Sequence, residues 1–232
     1  VKIDQLSEKA EQYNFESLAI TDYADLFGFL KFYKSVRSKG IKPIAGAEIN
    51  HVRDNSSHHE HANLTLLAKN QIGYKNLIKL ISKSQIAGKS SGTPVIETEW
   101  LAEHSNGLIA LSGGFRGHIG KAVLDNNHDL FLKRIKYFQK IFEEDFILEI
   151  SRINRPQEDL YNEYIISQAG ELGLPVVASN EVRFIDKEDY EAHETRVCIQ
   201  KGEVLSDARR TRNYFENQYF LSPEEMYEKF KD

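Results

Sequence analysis

SLAITDYADLFGFLKFYKSVRSKGIKPIAGAEIN, residues 17–50, holds the repeating unit on which the fold is read. Ser17 to Thr21 and Pro43 to Asn50 are short apolar runs with β-branched residues, bounded by Asp, Gly and Pro, and are expected to be strands. Between them Leu26, Leu30, Tyr33 and Val36 recur at helical period and form the expected buried stripe. Gly40 closes the helix as a C-terminal cap. Strand, helix and strand in this order predict a βαβ unit on a largely parallel sheet.

The alternation continues in both directions. Ahead of it, Ile3, Leu6, Ala10 and Tyr13 mark an amphipathic helix. Behind it, Ala62 to Lys69, Gly107 to Ser112, Asp145 to Ile150 and Pro175 to Ser179 are further strand candidates. The intervening stripes are Tyr74, Leu77, Ile81; then Phe131, Ile135, Phe138, Phe142; then Tyr161, Ile165, Ala169, Leu172, with Gly173 as a second cap. Ser222-Pro-Glu-Glu225 is a capping box with proline at the first helical position, so a further helix starts there and more protein is expected to follow. Two segments fit neither pattern: His51 to His61, expected to be a solvated hairpin loop, and the charged, irregular Lys187 to Asn217.

Composition bounds the function. At 232 residues, 41% hydrophobic and 28% charged, the chain can bury the core of one large α/β domain. A net charge of −5 repels a phosphate backbone, so any nucleic-acid contact needs a local patch. One cysteine, Cys198, excludes an intrachain disulfide framework and a Cys-rich zinc module, and suits a reducing cytoplasm. No apolar run is long enough to cross a bilayer and no leader opens the chain, so a cytoplasmic, membrane-free protein is expected.

In barrel-like α/β folds the chemistry sits at the carboxyl ends of strands. Those positions here are Asp22 and Tyr23, Glu48, Gly113 and Gly114, and Asn180, Glu181 and Arg183. A hydrolytic metal centre needs several converging imidazole, thiolate or carboxylate donors. Only Asp22, Glu48 and Glu181 are carboxylates and none is histidine, so by themselves these residues favour helix caps and loop bonds. His58, His59 and His61 are the most metal-like cluster in composition, but with no carboxylate or cysteine partner they read as a loop that binds metal only adventitiously. His193 reads as structural or as support for a neighbouring group. Arg209, Arg210 and Arg212, with Tyr214, Phe215 and Tyr219 close by, are candidates for a nucleic-acid or interdomain contact, weighed against a solvated loop. There is no Walker loop, dinucleotide-binding glycine pattern or nucleophile elbow.

Taken in order, these segments resemble a known family. Leu18-Ala-Ile-Thr-Asp-Tyr23, Leu26-Phe-Gly28, Lys31-Phe-Tyr33 and Gly40-Ile-Lys-Pro-Ile-Ala-Gly-Ala-Glu48 look like the opening of the polymerase-and-histidinol-phosphatase (PHP) domain of DNA polymerase III alpha subunits. Leu64-Thr-Leu-Leu-Ala-Lys-Asn70, Gly73-Tyr-Lys-Asn-Leu77, Gly107-Leu-Ile-Ala-Leu-Ser-Gly113, Leu174 to Phe184 and Ala192-His-Glu194 continue the likeness over nearly the whole chain, closest to the proteobacterial form. The resemblance implies a distorted TIM-like (β/α)7 barrel of the PHP type, one domain over residues 1–232, cut before a first His-x-His motif and continuing into a polymerase core beyond Asp232.

The family's metal site compares position by position. Where metal-binding members have histidine after Thr-Asp this chain has Tyr23, and Glu48 keeps their glutamate. Their next histidine is Asn63, their cysteine is Gly114, and the Asp and His of their late motif are Glu181 and Arg183. Asp22, Tyr23, Glu48, Asn63, Gly114, Glu181 and Arg183 are thus expected to be a vestigial metal site that holds no metal, with Arg183 paired to Glu48, Glu181 or Asp22. The resemblance implies that the parent is a DNA-directed DNA polymerase, a nucleotidyltransferase using Mg2+. This part would have no activity or cofactor of its own, and would act as a scaffold that docks the proofreading exonuclease (epsilon) subunit and the rest of the alpha subunit and meets DNA only indirectly. The rivals are an active metal-dependent phosphoesterase or 3′–5′ exonuclease, a barrel protein unrelated to replication, and a nucleic-acid module built on Arg209 to Arg212.

Overall fold

A computed structural model describes residues 1–52, 61–90, 92–207 and 209–232. Helix α1 (Ile3–Gln12) precedes strand β1 (Ser17–Tyr23), helix α2 (Phe29–Ser38) and strand β2 (Lys42–Val52). β3 (His61–Ala68) and α3 (Gln71–Ile86) follow, then a small hairpin of β4 (Lys89–Ser90) and β5 (Thr93–Pro94), β6 (Ile96–Glu97) and α4 (Thr98–Glu103). Next come β7 (Leu108–Leu111), α5 (His118–Leu124), α6 (His128–Phe142) and β8 (Phe146–Ser151). The chain ends with α7 (Glu158–Leu172), β9 (Val176–Ser179), α8 (Tyr190–Lys201) and α9 (Pro223–Phe230). All six expected strands form with bounds shifted by at most two residues. Gly173 caps α7 at φ 65°, and the box of Ser222 with Glu225 opens α9.

The main sheet runs β1-β2-β3-β7-β8-β9, with β6 beside the far end of β2. It curls into a half-barrel, a distorted TIM-like arrangement. β1 and β2 are parallel, as are β7 with β8 and β8 with β9, but β3 is antiparallel to both its neighbours. The largely parallel expectation is corrected at this strand. Residues 53–60 are too few for the crossover that a parallel pair needs, so β3 must return beside β2.

Strand alternation divides the sheet into two faces. Ala47, Ile49, Leu64, Leu66, Phe146 and Leu148 face outward and pack with the helices, including Phe131, Ile135 and Phe138 of α6, into the main core. Each fully buried phenylalanine contributes about 1.5–3 kcal/mol. Glu48, Asn63, Thr65, Glu149 and Ser179 face inward and line a cavity of about 790 Å3. β9 and β1 do not pair among the described residues. That side is filled by a second core in which Ile185 and Phe220 pack against Leu6, Ala10, Phe32 and Val36, with Phe220 stacked 5.2 Å from Phe15.

Two expectations fail on orientation. In α2 Val36 is buried as expected and Leu26 ahead of the helix packs on the main core, but Leu30 is 64% exposed, Tyr33 borders solvent and Phe32 is buried instead. The helix is apolar on both sides, so periodicity allows two stripes, and contact with α1 and β1 selects the one through Phe32. His51 belongs to β2, not to a solvated loop: it is fully buried, 5.2 Å from the ring of His118, whose Nε2 lies 2.9 Å from the His51 carbonyl oxygen.

Candidate functional site

The register of the first three strands builds one wall of the cavity. Tyr23 lies opposite Glu48, Glu48 opposite Thr65 and Asn50 opposite Asn63, so these side chains project from one face. Asn63 Nδ2 donates to Glu48 Oε1 and Asn50 Nδ2 to the Tyr23 hydroxyl. Burial and then the Glu48 charge raise the Tyr23 hydroxyl above its usual pKa, against the bond from Asn50. Asp22 is also raised, first by burial and then by Asp25, against a bond from the Gly28 backbone.

The opposite wall carries the cations. After β9 the chain passes through Asn180 and Glu181, and Glu181 sits in the left-handed region at φ 44°. Such a conformation in a non-glycine residue must be held by its surroundings. Buried Gln218 holds it: Nε2 donates to the Glu181 carbonyl at 3.1 Å, and the Gln218 carbonyl accepts from Arg183 N at 2.8 Å. The clamp aims Arg183 across the cavity, where Nη2 lies 3.4 Å from Glu48 Oε2.

Glu181 itself meets two other guanidiniums. Arg116, on the turn after β7, donates to Oε2 at 2.6 Å, and Arg155 Nη2 lies 3.0 Å from both carboxylate oxygens. Arg155 is held in turn. Glu158 accepts from the backbone N–H groups of Ile153 at 2.7 Å and Asn154 at 2.9 Å, fixing the loop, and the guanidinium lies 5.0 Å from the Phe115 ring centroid. Burial pushes the Glu181 carboxyl up, but Arg116 and Arg155 outweigh it and hold the group below the usual carboxylate range.

Glu149, on β8 between inward-facing neighbours, has no such partner. Burial, with the charges of Glu181 and Glu48, raises it to about 7 against the nearby Ser179 hydroxyl and the attraction of Arg116. Gly114 sits opposite, at φ 53°, and a Cβ there would stand 3.7 Å from the Glu149 carbonyl oxygen. The site therefore sets three carboxyl groups, Glu48, Glu149 and Glu181, against three guanidiniums, while Asp22, paired with outward-facing Ala47, turns its carboxyl to the Gly28 backbone. Its two best-placed carboxylates are taken by arginine. A cation in this arrangement would have to displace the fixed positive charge that already sits on Glu48 and Glu181.

A profile of the PHP domain matches residues 1–153, more than half of the chain. The chain belongs to the PHP domain family. This PHP domain is 42% identical over 231 residues to the DNA polymerase III alpha subunit of Vibrio cholerae and 43% identical to that of Escherichia coli K12. It is 38% identical over 232 residues to the same subunit of Pseudomonas aeruginosa. Each match covers 100% of this chain and 20% of the relative, so the chain spans about a fifth of their length. Among solved structures, a proposed metal-dependent phosphoesterase of Bifidobacterium adolescentis aligns at TM-score 0.49 and 13% identity, over 77% of this chain and 81% of that one.

Asp22, Tyr23, Glu48, Asn63, Glu181 and Arg183 of the PHP domain line one cavity, Asp22 with its carboxyl turned to Gly28, and Gly114 stands beside the lining residue Glu149. The three arginines of the late segment do not form one surface. Arg210 is corrected as a contact candidate: its side chain is 3% exposed and Nη1 donates to Glu194 at 2.5 Å. Arg209 pairs with Asp207 at 3.0 Å in solvent, and Arg212 is exposed. His193 packs 4.6 Å from Tyr214 and 5.7 Å from Phe184, and burial lowers its pKa. His58 and His59 lie outside the described residues, while the His61 carbonyl on β3 accepts from Lys121 at 2.8 Å. Sequence reasoning missed Glu149, Arg116, Arg155 and Gln218. A lone carboxylate inside Phe146-Ile-Leu-Glu-Ile-Ser151 was the available signal for the first. The arginines stand a few residues past the ends of β7 and β8, farther than strand ends alone would suggest.

No helix among the described residues is long and apolar enough to cross a membrane.

Proposed function

We propose that this PHP domain is the front part of a DNA polymerase III alpha subunit and that its cavity is a metal site converted into an ion-pair lattice. Asp22, Tyr23, Glu48, Asn63, Gly114, Glu181 and Arg183 are its vestigial ligand positions. The observation that carries the reading is Arg183 at 3.4 Å from Glu48, with Arg116 and Arg155 on Glu181. Fixed guanidiniums here neutralise the carboxylates that a hydrolytic centre would use to hold cations. The domain then serves the parent as a rigid scaffold and as a docking body for the proofreading exonuclease subunit. DNA-directed synthesis, with its Mg2+, belongs to a polymerase core C-terminal to it.

The test is the zinc and manganese content of the full-length parent chain after equilibration and dialysis, with release of nucleotides from a 3′ end measured in parallel. The expected result is near-zero zinc and no nuclease activity. Two or more tightly held zinc ions per chain, lost together with hydrolysis on Glu48→Gln, would replace this reading with an active phosphoesterase or exonuclease.

A further inference from the structure

We propose that the outer face of α2 and α3 docks a protein segment carrying acidic side chains around apolar anchors. The proposal rests on the docking part of the function above and gives it a surface and a chemistry. The two helices meet near their N-terminal ends, where Phe29 and Tyr74 have ring centroids 5.6 Å apart, and the turn before α2 is tied to the far end of α3, where Gln85 Nε2 donates to the Ala24 carbonyl at 3.0 Å. The turn from Ala24 to Phe29 therefore runs along α3, and Ile78, on the same helical stripe as Tyr74 and Gln85, lies between the two contacts.

This surface combines two properties. Its apolar residues are left in solvent: Phe27 is 93% exposed, Leu30 64%, Ile78 39% and Ile86 85%. Large apolar side chains clustered in this way mark an interaction surface more often than scattered ones do. The charge is of one sign as well. In a chain of net charge −5, neither α2 nor α3 contains an Asp or Glu, and together they carry Lys31, Lys34, Arg37, Lys75, Lys79 and Lys83. Lys31 is spent on Asp4 at 2.8 Å and Lys83 lies 4.4 Å from the Trp100 ring centroid. Asp25 is engaged with the Phe27 backbone N–H. Lys34, Lys75 and Lys79 have no carboxylate partner among the described residues.

Both properties must be met by one occupant. A polynucleotide matches the charge, but bases stack on aromatic rings, and of these four exposed apolar residues only Phe27 offers one. An amphipathic, acidic protein segment satisfies both: aliphatic or aromatic anchors cover Phe27, Leu30 and Ile78 while carboxylates meet the lysines at the rim.

The experiment uses the full chain and a fluorescent helical peptide with Leu and Phe on one face and Glu on the other. Comparison ligands are the same peptide with alanine at the anchors, an oligothymidine strand and the purified proofreading exonuclease subunit. The expected result is salt-sensitive peptide binding that weakens at least about tenfold in Lys34→Glu/Lys75→Glu/Lys79→Glu, in Phe27→Ser/Leu30→Ser and with the alanine peptide. All five positions are exposed, and an unchanged melting temperature verifies that the variants fold. No peptide binding, binding that ignores both variant sets, or oligothymidine displacing the peptide from this face would each overturn the proposal. The exonuclease arm is read separately. If the exonuclease fails to bind the wild-type chain, the docking function fails whatever the peptide does; if it binds but the peptide does not, only this surface is wrong.

Discussion

Replacing Glu149 with glutamine tests whether the cavity holds a protonated carboxyl group. The unfolded chain releases this proton near the usual 4.5, whereas burial and the neighbouring charges of Glu181 and Glu48 delay release in the native protein to about 7. Between those values the native state binds a proton that the unfolded state has lost, so Glu149 costs stability progressively as pH rises through the window and by a constant amount above it. At about 1.4 kcal/mol per pH unit the full cost is roughly 3 kcal/mol. Glutamine is neutral at every pH and close to glutamate in size. Glu149→Gln is therefore expected to be nearly neutral at pH 4.5 and stabilising by roughly 3 kcal/mol at pH 8, a rise of several degrees in melting temperature for a domain of this size. Urea denaturation at half-unit pH steps gives the difference curve directly. A stability change that stays flat across the window would refute the reasoning, because it would mean that Glu149 ionises normally in the native protein.

Arg155→Met should destabilise the domain by about 3 kcal/mol, since it removes a side chain stacked on Phe115 and leaves Glu181 half-compensated. Arg155→Lys should recover less than half, because an ammonium lacks the flat guanidinium face that lies over the Phe115 ring, and thermal unfolding distinguishes these outcomes. Arg210→Met alone should lower the melting temperature by stranding buried Glu194, whereas Arg210→Met with Glu194→Leu should return close to wild type in the same thermal unfolding assay. Two glycines in helices should behave oppositely. A Cβ on Gly73 would come 1.7 Å from the Gly107 carbonyl oxygen, so Gly73→Ala should leave little soluble folded protein. Gly170 in α7 has open space around it, so Gly170→Ala should stabilise by roughly 1 kcal/mol.

Much of the fold is local, and local patterns reveal it. The strands at Ser17, Lys42, His61, Leu108, Phe146 and Val176 are apolar runs between Gly, Pro and Asn, and the α6 stripe of Phe131, Ile135, Phe138 and Phe142 admits only one buried face. Direction is harder to read, because a strand has the same composition either way. β3 was legible as a strand but its reversal was not, until the short link at residues 53–60 is set against the length of a crossover. His51 was assigned with its polar neighbours, though its place near the end of β2 puts it against Tyr137 and Phe138 in the interior.

The site divides along the same line. Asp22, Glu48 and Glu181 could be found because strand ends of a barrel share one rim, and Arg183 because it stands two residues past Glu181. Arg116 and Arg155 depend on tertiary geometry: one arrives on a turn whose glycines permit close approach to Asn63, the other on a loop tied by Glu158. Their presence changes the electrostatics of the rim. With Arg183 alone, Glu48 would be matched and Glu181 left free to help hold a cation; with all three, both carboxylates are committed and the remaining acid, Glu149, lowers its cost by taking up a proton. A cavity that neutralises its charges internally has little field left with which to draw in an ion or a substrate. The uncompensated charge of α2 and α3 lies outside that cavity, on helices where exposed Leu30 and buried Phe32 made the helical period ambiguous. That ambiguity is physical, since a helix apolar on two faces has one face for its own core and a second available to a partner.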